Sequence, residues 1–267
     1  MKYSIKAPAL APFLRKTILH QYAASVPEEL RGLDHERYDA LPARVAKRKE
    51  DDGDVFLSKE EVVGLVEWKL KHGTFRPKLL QMVTSNPATL IESTTRQAFA
   101  ILSSPSSTST TPSTNALTAL KTLTTALKGI GPATASLILS IASPARVPFF
   151  SDELWRWVMW DEASQHGWRR PITYSAKVYG ELFARVSRIV EDAGGEVQAV
   201  ELEKVAWVLG RKGVDVDGGV EVEDVEETES GEVEKIAKVL KGTKRKVVET
   251  NGLAEGPRRS SRLKTKT

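Results

Sequence analysis

The sequence has no cysteine in its 267 residues. That excludes disulfides, cysteine-ligated zinc, iron–sulfur clusters and thiol nucleophiles together, and it suits a reducing compartment. Histidine is almost as scarce. His20, His35, His72 and His166 show no ligand spacing, so no metal site is expected, and no cofactor either. Long apolar runs are missing too. No window approaches the ~18 apolar residues a membrane span needs, and the opening MKYSIKAPALAPFLRKTILH lacks the continuous apolar stretch and small-residue cleavage site of a secretory signal. No membrane partner is expected. Excess charge is small as well: the net charge is +4 with a pI near 9.1. Residues 211–267 hold 13 Lys/Arg against 12 Asp/Glu, so most of the surplus lies before residue 211. Binding to a polyanion would have to come from local geometry rather than bulk charge.

Hydrophobic residues make up 40% of the chain, enough for a core. Three composition shifts divide it. SSPSSTSTTPSTN, residues 103–115, has neither charge nor a large apolar side chain and reads as a flexible insertion within a domain. Residues 211–234 are Gly, Val and acidic residues, and 235–267 are basic, with KGTKRK at 241–246 and PRRSSRLKTK at 257–266. This predicts a domain over 1–210 and a disordered tail over 211–267, apart from a short helix around Glu232 to Leu240.

Within 1–210 the pattern is helical almost throughout, and the predicted fold class is all-α. Ser58 and Glu61 form a capping box. Val62, Val63, Val66 and Leu70 follow as a stripe, with Gly73 as a left-handed stop. Asn86-Pro87 reads as a cap with proline at the first helical position. Leu117, Leu120, Leu123 and Leu127 line one helix face. Val178, Leu182, Phe183, Val186, Ile189 and Val190 line another, closed by Gly194-Gly195, and a last helix runs from about Gln198 to Leu209, with Gly210 after it.

The stretch Leu127 to Leu139, LKGIGPATASLIL, has the form of a helix–hairpin–helix, the whole motif spanning 117–141. Gly129 can take the positive φ of a sharp turn. Ile130 can seal the seam between the helices, and Gly131 leaves the backbone open to a ligand. Pro132 starts the second helix where its missing N–H costs nothing. The free amides of that first turn and the helix dipole then suit an anion such as a DNA phosphate, held without reading base sequence.

This stretch resembles the hairpin of the helix–hairpin–helix DNA glycosylase superfamily, the endonuclease-III-like and alkyladenine-type base-excision enzymes. The likeness continues into Val147-Pro148-Phe149-Phe150-Ser151-Asp152, where those enzymes carry a catalytic aspartate, and into Arg156 and Val158 of the helix that follows. The resemblance covers about Leu117 to Val158. It implies an all-helical glycosylase-like domain that binds double-stranded DNA through Lys128, Gly129, Ile130, Gly131, Ala133, Thr134 and Arg146. Asp152 would be the catalytic carboxylate, stabilising positive charge on the sugar or activating water. Trp155 is the candidate wall for an extruded base, whereas Trp157 and Trp160 read as core.

Two departures are visible. The lysine nucleophile of the bifunctional members falls on Ala133, so an enzyme of this kind would be a monofunctional N-glycosylase without lyase activity by that route. Three residues rather than one separate Pro148 from Asp152. The residues alone leave Asp152 as either a catalytic group or a helix cap, with Ser151 an equal contender for the cap. Lys69, Lys71, His72, Arg76 and Lys78 read as a solvated basic face at a helix end. The basic clusters of the tail resemble nuclear localisation signals, giving an expected nuclear address. The rival reading is a non-catalytic nuclear protein that keeps the scaffold for DNA or protein binding; a third is a purely structural hairpin in an interaction module.

Overall fold

A computed structural model describes residues 16–73, 76–105, 111–160 and 167–216. The chain falls into two units, Met1–Val220 and Glu221–Thr267. The second unit, with the expected tail helix and basic clusters, lies outside the described residues. Among those residues the elements are all helical: α1 (Tyr22–Ser25), α2 (Arg31–His35), α3 (Leu41–Asp52), α4 (Lys59–His72), α5 (Pro77–Thr84), α6 (Ala88–Ser103), α7 (Pro112–Ala126), α8 (Pro132–Ala142), α9 (Asp152–Val158), α10 (Ala176–Asp192) and α11 (Ala199–Lys212). No described helix is long and apolar enough to cross a membrane.

The centre of the fold is α8. Every residue from Ala133 to Ile141 is buried, as a helix apolar on all sides requires, and α3, α4, α6, α7 and α10 pack around it. Its two serines meet their hydrogen-bond needs inside the helix, Ser136 donating to Ala133 O at 2.9 Å and Ser140 to Leu137 O at 2.8 Å. Leu120, Leu123 and Leu127 of the preceding helix are buried against the core, and Leu117 is partly so. On α10 the buried face adds Tyr179 to Leu182, Phe183 and Val186.

Capping explains several boundaries. The expected box at α4 is present: Glu61 N–H donates to Ser58 Oγ at 3.3 Å and Ser58 N–H to Glu61 Oε2 at 2.9 Å. Gly194 and Gly195 take positive φ after α10. Four sequence expectations need correction. Gly73 is not left-handed, since its φ of −123° lies in the extended range. The insertion over 103–115 is narrower, because Pro112 starts a helix capped by Thr111 and Asn115 is buried. Pro87 is itself the N-cap of α6, and the Asn86 side chain makes no cap bond there. Gly210 does not end the domain: α11 runs to Lys212, stops at Gly213 with φ 60°, and is followed by the buried Val216. Gly210 is needed inside the helix for closeness instead, because a Cβ there would lie 2.9 Å from Glu153 Cγ.

A π-helical turn, Glu36–Ala40, lies between α2 and α3. The extra residue in the turn lets the adjacent Arg37 and Tyr38 both face inward. Arg37 donates through Nη2 to Glu203 Oε2 at 2.9 Å, and Tyr38 Oη donates to Oε1 of the same carboxylate at 2.9 Å. The Arg37 side chain is 2% exposed, so its charge relies on that carboxylate and on the Tyr38 and Trp68 rings, each 4.1 Å from the guanidinium carbon. Glu203→Gln leaves a buried cation without its counter-charge and should lower unfolding free energy by about 3–5 kcal/mol, read from denaturant unfolding.

Candidate functional site

The hairpin is held by a side chain from another helix pair. Asn86, between α5 and α6, brackets Lys128: its Oδ1 accepts from Lys128 N–H at 2.9 Å and its Nδ2 donates to Lys128 O at 3.0 Å. The same amide nitrogen lies 2.9 Å from Val83 O. The turn that follows divides its glycines by role. Gly129 has φ 77°, and a Cβ there would lie 3.0 Å from both Met82 Cβ and Val83 Cγ2, so this glycine is structural. Gly131 has φ −90°, open to any residue, and a Cβ there would meet nothing within 4 Å. It is the N-cap of α8, and no side chain caps the first-turn amides of that helix.

Asp152 is the first residue of α9, and Ser151 takes the cap, its Oγ accepting from Leu154 N–H at 3.2 Å. The carboxylate is thereby free of capping. Tyr174 donates its hydroxyl to Oδ1, Arg156 Nη2 stands 3.2 Å from Oδ2, and the side chain stays 40% exposed. Burial, followed by the bond to Asp152, pushes the Tyr174 phenol well above its ordinary range and keeps it a donor. The lengthened spacing after Pro148 is absorbed by burying both added rings: Phe150 N–H donates to Ser136 Oγ at 2.9 Å, and Phe149 meets the Trp68 ring edge-on at 5.7 Å.

These elements open on one cleft of about 650 Å³. Gly129, Gly131, Pro132, Ala133 and Thr134 line it together with Asp152 and Tyr174. Lys69 and Arg76 enter from the end of α4 and the approach to α5, Arg156 from α9 and Arg211 from α11. Trp68, His72, Phe149 and Trp207 supply an aromatic floor, where the Trp68 and His72 rings stack at 4.3 Å. Asp34 supports that floor from behind, accepting from Tyr22 Oη and Trp68 Nε1, both at 2.7 Å. His72 Nε2 lies 2.7 Å from Asp34 Oδ1, near enough for an ion pair but not aligned as a hydrogen bond. Burial works to raise the Asp34 carboxyl, yet the contacts from His72, Tyr22 and Trp68 outweigh it and hold the group below its usual range. Glu153 is the opposite case, its carboxyl pushed up mainly by burial.

The sequence candidates therefore fall into two groups. Gly129, Gly131, Ala133, Thr134 and Asp152 meet at the cleft. Lys128, Ile130, Arg146 and Trp155 do not line it. Ile130 is buried in the hairpin seam, and Lys128 and Arg146 are exposed. Trp155 needs correction as a base wall: it is buried, with the Arg170 guanidinium 4.6 Å from its ring centre. Trp68, Trp168 and Trp207 line the cleft instead. The basic face read at the end of α4 also divides, Lys71 turning outward to Glu67 at 2.7 Å while Lys69, His72 and Arg76 line the cleft. Tyr174 carried no signal in the sequence, and Asn86 carried the wrong one. Comparison with family models, curated proteins and solved structures returns no match for this chain.

Replacing Asn86 by Ala leaves two backbone groups of Lys128 without partners. The expected cost is about 1–3 kcal/mol, measured by denaturant unfolding.

Proposed function

We propose that this chain is a DNA-binding protein related to base-excision DNA glycosylases and that it hydrolyses the N-glycosidic bond of an extruded, damaged base. One observation carries the reading: the open backbone of Gly131 and the uncapped carboxylate of Asp152 face the same cleft. Phosphate would sit at the α8 amides, with Lys69, Arg76, Arg156 and Arg211 making the surrounding field positive. The extruded base would enter toward the aromatic floor. Asp152, bonded by the Tyr174 hydroxyl and paired with Arg156, would stand beside the sugar as positive charge develops there. The basic segments at 241–246 and 257–266 serve in this reading as a nuclear address. The Arg156–Asp152 ion pair favours a second reading, in which the carboxylate only braces the cleft and the protein binds DNA without cleaving it.

Gly131→Glu should fold, because nothing in the protein meets its Cβ and its φ is permissive. It should weaken duplex binding and flatten the dependence of log K on log salt by about 0.9, the share of one phosphate. Unchanged binding by the folded variant would end the phosphate-grip reading. For catalysis, wild type should release a base from one member of a panel of modified duplexes, and Asp152→Asn should lose that release while still binding. Binding without release by wild type on every lesion would leave the second reading standing.

A further inference from the structure

The rings at the floor of the cleft already carry cations. The Arg37 guanidinium carbon lies 4.1 Å from the centres of both the Tyr38 and Trp68 rings and 5.3 Å from that of Phe149. Arg211 lies over the Trp207 ring at 4.3 Å, and the Lys204 amine stands 5.3 Å from the centre of the Tyr22 ring. Tyr22, Trp68, Phe149 and Trp207 are also buried, none of them more than 7% exposed. A cationic base, such as a ring nitrogen gains on alkylation, is bound best by bare aromatic faces. These rings present cations in place of bare faces. The charges on the cleft point the same way. Arg37 is matched by Glu203, Arg156 by Asp152, and His72 faces Asp34. Lys69, Arg76 and Arg211 remain, and their side chains make no hydrogen bond or ion pair among the described residues. Against these three cations the cleft sets one further carboxyl, Glu153, which burial pushes up.

Cleavage of an N-glycosidic bond sheds the base in one of two charge states. A cationic alkylated base departs neutral and needs little from its surroundings. A neutral base departs as an anion, and a cation fixed beside it lowers the barrier. We infer that the cleft acts on a neutral, carbonyl-bearing base that departs as an anion, and that Arg211 meets its charge. This rests on the reading of the cleft as a site of glycosidic hydrolysis. The C1′–N bond breaks with its electron pair moving onto the ring nitrogen and into the conjugated carbonyl. Positive charge is left on the sugar beside Asp152. A water oxygen then bonds to C1′ and passes its proton to Asp152, and the base anion takes up the equivalent proton through solvent. Arg211 is the cation placed for this, because it rests on a ring of the floor toward which the base enters. Lys69 and Arg76 come from the end of α4 and the approach to α5 and are left for phosphate.

The test uses the full-length chain in excess over labelled duplexes, so that release is read in single turnover and apart from binding. The duplexes carry uracil, 5-fluorouracil or 8-oxoguanine as neutral bases, or 7-methylguanine as a cationic one. Wild type should release a neutral base and leave 7-methylguanine in place. Arg211→Gln should slow that release on the order of 10²-fold. Arg211→Lys should recover most of the loss, because an ammonium also rests on an indole face. Between the two uracils the loss should be smaller for 5-fluorouracil, whose anion is the more stable; a merely structural role for Arg211 would slow both alike. Arg188→Gln, exposed on α10, should behave as wild type. Three results would overturn the assignment: 7-methylguanine released as fast as the neutral bases, undiminished release by folded Arg211→Gln, or equal losses on the two uracils. Binding without release of any base would bring down the hydrolytic reading itself, and this assignment with it.

Discussion

The buried guanidinium of Arg37 is the constraint around which the cleft is arranged. Removing such a charge from water is tolerable only where a carboxylate and polarisable faces surround it. Glu203 from α11, Tyr38 from the π-helical turn and Trp68 from α4 do so, and the Phe149 ring adds a face 5.3 Å away. These partners come from parts of the chain up to 166 residues apart. Meeting the needs of one cation therefore sets α4 and α11 against the loop before α9. The cleft lies over that junction, and Tyr38, Trp68, Phe149 and Glu203 are on its surface. A lost partner at Arg37 would displace the floor as well as destabilise the fold.

What the sequence revealed follows from how far each interaction reaches. The capping box of Ser58 and Glu61, the apolar stripes of α7 and α10, and the different tasks of Gly129 and Gly131 depend on neighbours within a turn or two, so residue spacing encodes them. Asn86 shows the limit. Asn before Pro is a local signal for a helix start, yet its amide is worth more on the Lys128 backbone, where two part-buried groups would otherwise go unpaired. Gly210 is similar: a glycine near a helix end resembles a stop, and only the approach of Glu153 reveals that it is a packing residue. Tyr174 and the inward turn of Lys69 depend on tertiary placement alone, which periodicity does not carry.

Asp152 shows how local and distant information combine. The sequence left cap and catalysis level for this carboxylate. Ser151 resolves half of the question, since a hydroxyl already fills the cap and Asp152 has no backbone amide to serve. The other half depends on the two phenylalanines that lengthen the approach. Had Phe149 and Phe150 looped outward, the aspartate would have been carried away from the hairpin. Their burial, about 1.5–3 kcal/mol for each ring removed from water, draws the segment down onto Ser136 and Trp68, and Asp152 and Gly131 line the same cleft.

The cleft is also where this protein departs from the rules that govern the rest of it. Elsewhere, buried charges such as Arg37 and Glu61 are paired. Around the cleft the Glu153 carboxyl is pushed up by burial, and Lys69 is partly desolvated with no acceptor among the described residues. Each feature costs stability, and an anionic ligand would relieve the desolvated Lys69 ammonium though not the Glu153 carboxyl. Local inconsistencies of this kind gather at functional sites because folding alone gives no reason to retain them. The cost is tolerable here because the deeply packed α8 and the Arg37–Glu203 junction hold the walls in place whether or not a ligand is bound.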